Sequence, residues 1–231
     1  MIYAISDLHL SFSVSKPMDI FGNNWERHHE RIEENWKKLI TDNDTVILPG
    51  DLSWGMTLEE AKPDFEFVHS LPGRKIIGKG NHDYWWQTKK KLDIFLVENR
   101  FDSISILYNN AYRVENKIIC GTRGWIVENN PSADDEKIIL REAGRLEMSI
   151  ECGKKLKEND EEIIVFLHYP PAYRGDVSVP ICKALVREKI NRCFYGHIHS
   201  ADKRYLIHKY GETKLNLISS DFLGFEPVLI E

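Results

Sequence analysis

The sequence predicts an α/β fold in which two strand-rich layers are covered by helices, within one domain spanning residues 1–231. Three observations predict it. Short β-branched apolar runs alternate with stretches of helical period through the first hundred residues. The middle, "ISILYNNAYRVENKIICGTRGW", reads as strands joined by turns, and a long helical segment comes after it. No repeat, low-complexity tract or linker divides the 231 residues, a length that suits one substantial core.

In chain order, "IYAIS" is the first strand and leads to Asp7-Leu8-His9. In "NWERHHERIEENWKKLI" the residues Trp25, Ile32, Trp36, Leu39 and Ile40 share one helical side. "TVILPG" is the next strand and ends at Asp51. Leu58, Ala61, Phe65 and Val68 then repeat at intervals of three and four, with Pro63 predicting a kink or a helix start. "RKIIGKG" leads to Asn81-His82-Asp83, and Lys89, Lys90 and Lys91 read as a solvated helix face. Glu115-Asn116 is a hairpin tip, and the long helix runs from about Asp134 to Lys157. "EIIVFL" delivers His168 ahead of a Tyr169-Pro170-Pro171 loop, "RCFYG" delivers His197-Ile198-His199, and the chain closes with a hairpin turning near Gly211.

Composition narrows the function classes. Hydrophobic residues are 42% and charged residues 29%, a folded soluble composition. The net charge is −5 without a basic stripe, which disfavours a nucleic-acid partner. The start lacks the basic region of a signal peptide, and no apolar run approaches the roughly 18–20 residues that span a bilayer. Cys120, Cys152, Cys182 and Cys193 show no CxxC spacing, so a reduced, cytoplasmic chain is expected.

Five apolar runs each end in metal-capable side chains, at the sheet edge where α/β folds gather ligand sites. Singly, each has a bland reading. Asp-x-His is commonly a turn, and His168 suits a hydrogen-bonded core histidine. Jointly they supply seven candidate ligands: Asp7, His9, Asp51, Asn81, His168, His197 and His199. The i, i+2 pairs Asp7/His9 and His197/His199 would present both side chains on one face of extended backbone. Seven donors exceed one tetrahedral zinc and suit two metals, with Asp51 the natural bridging carboxylate. The mixture of carboxylate, amide and imidazole without thiolate favours Mn²⁺, Fe or catalytic Zn²⁺.

The blocks "DLHLS", "GDLSW", "GNHD", "HYPP" and "GHIH" resemble, in order and spacing, the signature of the calcineurin-like metallophosphoesterases. "GTRGW" and "REAGRL" resemble features of its small bacterial members. The resemblance implies a two-sheet β-sandwich flanked by helices, a four-layer αββα arrangement. It implies that Asp7, His9, Asp51 and His199 hold one metal, and that Asp51, Asn81, His168 and His197 hold the other. The implied reaction is hydrolysis of a phosphate ester, mono- or diester, by a metal-bound hydroxide attacking phosphorus in line. His82 would meet the substrate as general acid, and Asp83 would hydrogen-bond His82 and fix its tautomer.

Arg123 and Arg174, in glycine-containing loops, are candidates for a phosphate oxygen, with a structural role the alternative for each. At least two of Tyr84, Trp85 and Trp86 are expected in the core. Selectivity is expected from the segments around Trp54, Trp85, Arg123 and Arg174. The competing readings are a catalytically silent scaffold of the same fold and a nuclease. A complete site argues against the first, and the acidic balance against the second.

Overall fold

Runs rich in Ile, Val and aromatic residues become strands because such side chains fit a pleated, half-buried surface. In the computed structural model, which describes residues 1–126 and 132–231, the first half runs β1 (Ile2–Ala4), α1 (His28–Leu39), β2 (Thr45–Leu48), α2 (Leu58–Ser70), β3 (Arg74–Ile77), α3 (Lys89–Glu98), β4 (Ile104–Ile106), β5 (Ala111–Val114) and β6 (Lys117–Thr122). The second half runs α4 (Ala133–Leu156), β7 (Glu162–Leu167), β8 (Ala172–Tyr173), β9 (Asp176–Val177), α5 (Val179–Arg187), β10 (Arg192–Tyr195), β11 (Lys209–Tyr210), β12 (Thr213–Leu217) and β13 (Val228–Leu229).

One sheet has the order β13-β1-β2-β3-β4, parallel except for β13. The other has the order β11-β12-β10-β7-β6-β5, parallel at its centre with antiparallel strands at both edges. Parallel neighbours need crossovers, and most of these are helices. Alternation along each strand then builds the layers. Ile2, Ala4 and Ile47 of the first sheet meet Ile119, Ile164, Phe166 and Phe194 of the second. The intervening Tyr3, Val46 and Leu48 face Ile32, Trp36, Phe65 and Leu92 of α1 to α3. On the far side Val165, Leu167 and Cys193 pack with Leu146, Ile150 and Leu185 of α4 and α5. The result is the two-sheet, four-layer arrangement that the sequence predicts.

Local expectations hold with one difference. The tips at Glu115 and Gly211 both turn with positive φ, 53° and 56°, between paired strands. Lys90 and Lys91 are exposed, and Lys89 pairs with Asp93 at 2.7 Å. The stretch 24–40, however, is not one helix. Trp25 lies in a separate 3₁₀ turn, and α1 begins only at His28 because Arg27 takes a left-handed conformation, φ 49°. Pro63 does not start α2, which leaves the kink of the two expectations, since the proline lies inside the helix. The helix begins five residues earlier, capped by the Thr57 hydroxyl, which accepts from Glu60 N, and continues through the proline with one backbone donor missing. Among the described residues no helix is long and apolar enough to cross a membrane.

Candidate metal centre

Strands β1, β2, β3, β7 and β10 end side by side, and the residues just beyond them converge at one edge of the molecule. The backbone there is not extended, contrary to the i, i+2 expectation. Asp7, His9, Asp51 and His197 have φ of 61°, 46°, 52° and 70°. Asp and His tolerate this region better than most residues, yet each instance costs about 1–3 kcal/mol. The two loops hold each other in it: Asp7 N donates to Gly50 O at 3.1 Å, His9 N to Asp51 O at 3.0 Å, and Leu10 N to Leu52 O at 2.9 Å. Glycines give the carboxylates room. A Cβ on Gly80 would lie 2.0 Å from Asp51 Oδ1, and one on Gly196 would lie 2.4 Å from Asp7 Oδ2.

All seven predicted donors meet. His9 Nε2 and His199 Nε2 are 3.0 Å apart. Asn81 Oδ1 lies 2.6 Å from His168 Nε2 and 2.9 Å from His197 Nδ1. Asp51 Oδ2 faces both groups, 3.7 Å from His9 Nε2 and 3.5 Å from His168 Nε2. Asp7 is close to both as well: Asp7, His9 and His199 offer ligand atoms within 4.8 Å of one another, as do Asp7, Asp51 and His168.

Two facts make this a fit for cations. With bonds of about 2.0–2.2 Å, donors around one metal sit roughly 3–3.5 Å apart, and the pairs above lie 2.6–3.7 Å apart. Asp51 Oδ2, moreover, is buried without a hydrogen-bond partner, although its sister oxygen accepts from His82 N at 2.8 Å. An unpaired buried carboxylate oxygen is costly unless a cation meets it. Burial, reinforced by Asp83 and Asp7, pushes the Asp51 carboxyl well up, and burial likewise raises Asp7. Burial and the neighbouring rings hold His9 and His168 well below the ordinary histidine range and His197 at about 4, leaving neutral imidazoles with free lone pairs.

His199 behaves differently. Burial opposes its charge, but Asp221 Oδ1, 3.0 Å from its Nδ1, carries it above the ordinary value with help from Asp7. Asp221 Oδ2 also accepts from Ser200 N at 2.7 Å. Sequence reasoning missed Asp221, although "LNLISSD" repeats the signal of an apolar run ending in a carboxylate. Such a carboxylate behind a ligating histidine orients the ring and strengthens it as a donor.

His82 stands half-buried at the opening, its ring centre 4.4 Å from that of Trp54 and its Nδ1 3.4 Å from the Tyr84 hydroxyl. Asp83 does not hold it. The buried Asp83 carboxylate instead accepts from Gly80 N (2.7 Å), Asp51 N (2.9 Å), Leu52 N (2.9 Å) and Ser53 N (3.4 Å), tying the second and third loops together. The reason is direction: Asp83 turns inward to four unsatisfied backbone donors, while His82 turns outward. Trp85 and Trp86 are core residues and Tyr84 is exposed, as expected.

The arginines divide. Arg123 comes within 3.7 Å of the buried Glu142, which also meets Arg145 at 2.7 Å and accepts from the Thr122 hydroxyl at 2.7 Å. Its carbonyl accepts from both His168 N and Tyr169 N, so the residue positions the fourth loop through its backbone. Arg174 lies exposed in the turn between β8 and β9, packed on the Tyr173 and Tyr205 rings rather than among the seven donors.

Residues 1–201 match the family model of the calcineurin-like phosphoesterases. The chain belongs to that family. Among curated relatives, this phosphoesterase-family chain is 24% identical over 139 residues to an uncharacterized protein of Methanocaldococcus jannaschii, covering 58% of this chain and 70% of the relative. Among solved structures it resembles a protein of unknown function from Aquifex aeolicus (TM-score 0.54, 19% identity, 99% of this chain and 94% of that one). It also resembles the phosphopantetheinyl hydrolase of Mycobacterium tuberculosis (TM-score 0.56, 13% identity, 100% and 96% covered). At these identities the structures speak for the fold. Membership in the family and the convergent Asp and His groups make this a metal-dependent phosphoesterase-family domain.

Proposed function

We propose that this chain hydrolyses phosphate esters, mono- or diesters, at a pair of metal ions. Asp7, His9, Asp51 and His199 would hold one, and Asp51, Asn81, His168 and His197 the other. The observation that carries the reading is the unpartnered Asp51 Oδ2, buried between an His9/His199 group and an Asn81/His168/His197 group. Bound there, two cations supply charge for the phosphoryl oxygens and lower the pKa of a coordinated water. A set of nitrogen and oxygen donors without thiolate suits Mn²⁺, Fe or Zn²⁺.

The chain's own residues do the rest. Asp221 holds the His199 ring, and Asp83 fixes the loops that carry Asp51 and Asn81. His82, at the opening with Nδ1 beside Tyr84, presents Nε2 to a substrate and gives a proton to the leaving oxygen. All four cysteines are free and three are buried, which supports residence in a reducing compartment such as the cytoplasm.

The test is hydrolysis of p-nitrophenyl phosphate and bis-p-nitrophenyl phosphate by metal-stripped protein as Mn²⁺ is titrated back. Activity that rises over about two equivalents supports the reading, and the ratio of the two rates assigns mono- or diesterase. Tight binding of two equivalents with no ester turned over, natural esters included, would leave the scaffold.

A further inference from the structure

Beside His82 lies a cavity of about 350 Å³ lined by His9, Met18, Phe21, Trp25, Trp54, His82, His199 and Ser200. One wall is the metal centre's own rings. The other is built by residues 18–25, the 3₁₀ turns that precede α1. Trp25 is fixed in place edge-on to His9, His199 and Phe225, with ring centres 5.8, 5.2 and 5.2 Å apart. Trp54 stacks on His9 at 5.0 Å, and its indole N–H is taken up by Met18 Sδ at 3.3 Å. Phe21 stands 62% exposed at the rim, an apolar side chain with no core of its own to enter.

From this we infer that the site selects its esters by their leaving group, and that the group taken is an uncharged alcohol carrying an aromatic ring. The inference rests on the phosphoesterase reading above, because it is His82 that places the leaving oxygen on this side. A polyol would find few partners: among the described residues of the lining Ser200 supplies the hydroxyl, and the Trp54 donor is already used. An ammonium alcohol would have to compete with Lys16, whose Nζ already lies 5.9 Å from the centre of the Trp54 ring on the face such a cation would use, and among the described residues it would meet no carboxylate in the lining. An aromatic ring meets what the lining offers, apolar area and ring faces and edges. The volume lies at the small end of ligand pockets and suits one ring system on a short link rather than a long chain.

The experiment compares esters that share the phosphoryl group and have leaving alcohols of similar acidity, 2-phenylethyl against glyceryl, on the Mn²⁺-loaded protein. The expected result is a kcat/KM preference for the phenylethyl ester of about 10- to 100-fold. Phe21→Ser should lower that ratio about 3- to 10-fold and Phe21→Tyr should keep it. A readout apart from turnover is saturation-transfer NMR of 2-phenylethanol and glycerol with the protein loaded with diamagnetic Zn²⁺. Transfer is expected to the phenyl protons, weakened by Phe21→Ser, and not to glycerol. Hydrolysis of both esters at equal rates overturns the inference and leaves the phosphoesterase reading standing. Phenyl saturation transfer with neither of these esters hydrolysed, nor the p-nitrophenyl and natural esters of the test above, keeps the pocket and overturns the hydrolase, whereas turnover of those other esters alone overturns the selection by leaving group. Neither transfer nor hydrolysis overturns both.

Discussion

Replacing Asp83 by Asn separates the role the structure gives this residue from the one its position beside His82 suggests. Burial pushes the Asp83 carboxyl up to about 6, against the pull of its backbone donors, so at pH 8 it is ionised. The carboxylate then accepts from Gly80, Asp51, Leu52 and Ser53, two donors to each oxygen. An amide keeps one oxygen and turns an NH₂ group toward the other two donors. Hydrogen bonds to a charged group contribute about 1.5–3 kcal/mol each, so losing two inside the core removes roughly 3–6 kcal/mol. For a chain of this length that is a fall in Tm of about 6–24 °C at pH 8. Because Asp51 N is among the donors, affinity for added Mn²⁺ should drop about 10- to 100-fold. Calorimetry and a metal titration read both. An Asp83→Asn protein that melts and binds metal like the wild type, but whose pH–rate profile has moved, would refute this account and restore Asp83 as the partner of His82.

Three further outcomes are expected. Gly196→Ala sets a methyl group 2.2 Å from Ser6 Oγ and 2.4 Å from Asp7 Oδ2. It should cost metal affinity more than it costs fold stability, and metal titration beside thermal melting would show whether it does. Asp221→Asn removes the carboxylate behind His199 and should weaken metal binding about 10- to 100-fold; unchanged affinity would make Asp221 only a cap for Ser200. Lys75 is fully buried, with Nζ donating to Leu71 O, and burial lowers its pKa from 10.5 to about 8. Between pH 8 and 10.5 the unfolded chain therefore holds a proton that the folded one does not. Stability from this group rises with pH across that window, by no more than about 3 kcal/mol, and is lost as pH falls through 8. Buried Cys120, Cys182, Cys193 and Tyr195, whose pKa values burial raises, act in the opposite sense over the same window, so the test is the difference. Between pH 8 and 10.5 urea unfolding should change more favourably in wild type than in Lys75→Met by up to about 3 kcal/mol, and equal changes in both would dispose of it.

The layers were legible because burial on two sides writes itself as pattern. Ile2/Ala4 against Tyr3, and Ile164/Phe166 against Val165/Leu167, alternate in the sequence just as they divide between the inner and outer cores. The break at Arg27 left no such trace. The period of Ile32, Trp36 and Ile40 extends back to Trp25 even though the backbone does not, since a buried tryptophan satisfies the pattern from a separate turn as well as from the helix. Pro63 warned of a boundary, but a capped N-terminus five residues earlier outweighed one missing donor.

The site was legible as a set of residue types and illegible as geometry, for a physical reason. Period-2 reasoning applies while a strand lasts, and these donors begin where the strands stop. Beyond the strand ends the backbone turns left-handed at Asp7, His9, Asp51 and His197, held by the Asp7–Gly50 and His9–Asp51 main-chain bonds and by Asp83. Apart from the Gly80–Asp83 bond these holding contacts are distant in the chain: Asp83 caps Asp51 from 32 positions away, and Asp221 reaches His199 across 22. Adjacency in "GNHD" therefore misleads. His82 and Asp83 are neighbours in the chain but face opposite ways, one toward the aromatic cavity and one toward the frame of the loops. The same division explains why the glycines of these blocks stand beside acids. Gly80 and Gly196 yield the volume that lets Asp51 and Asp7 be buried at all, and the unpaired Asp51 oxygen there calls for either a proton or a cation.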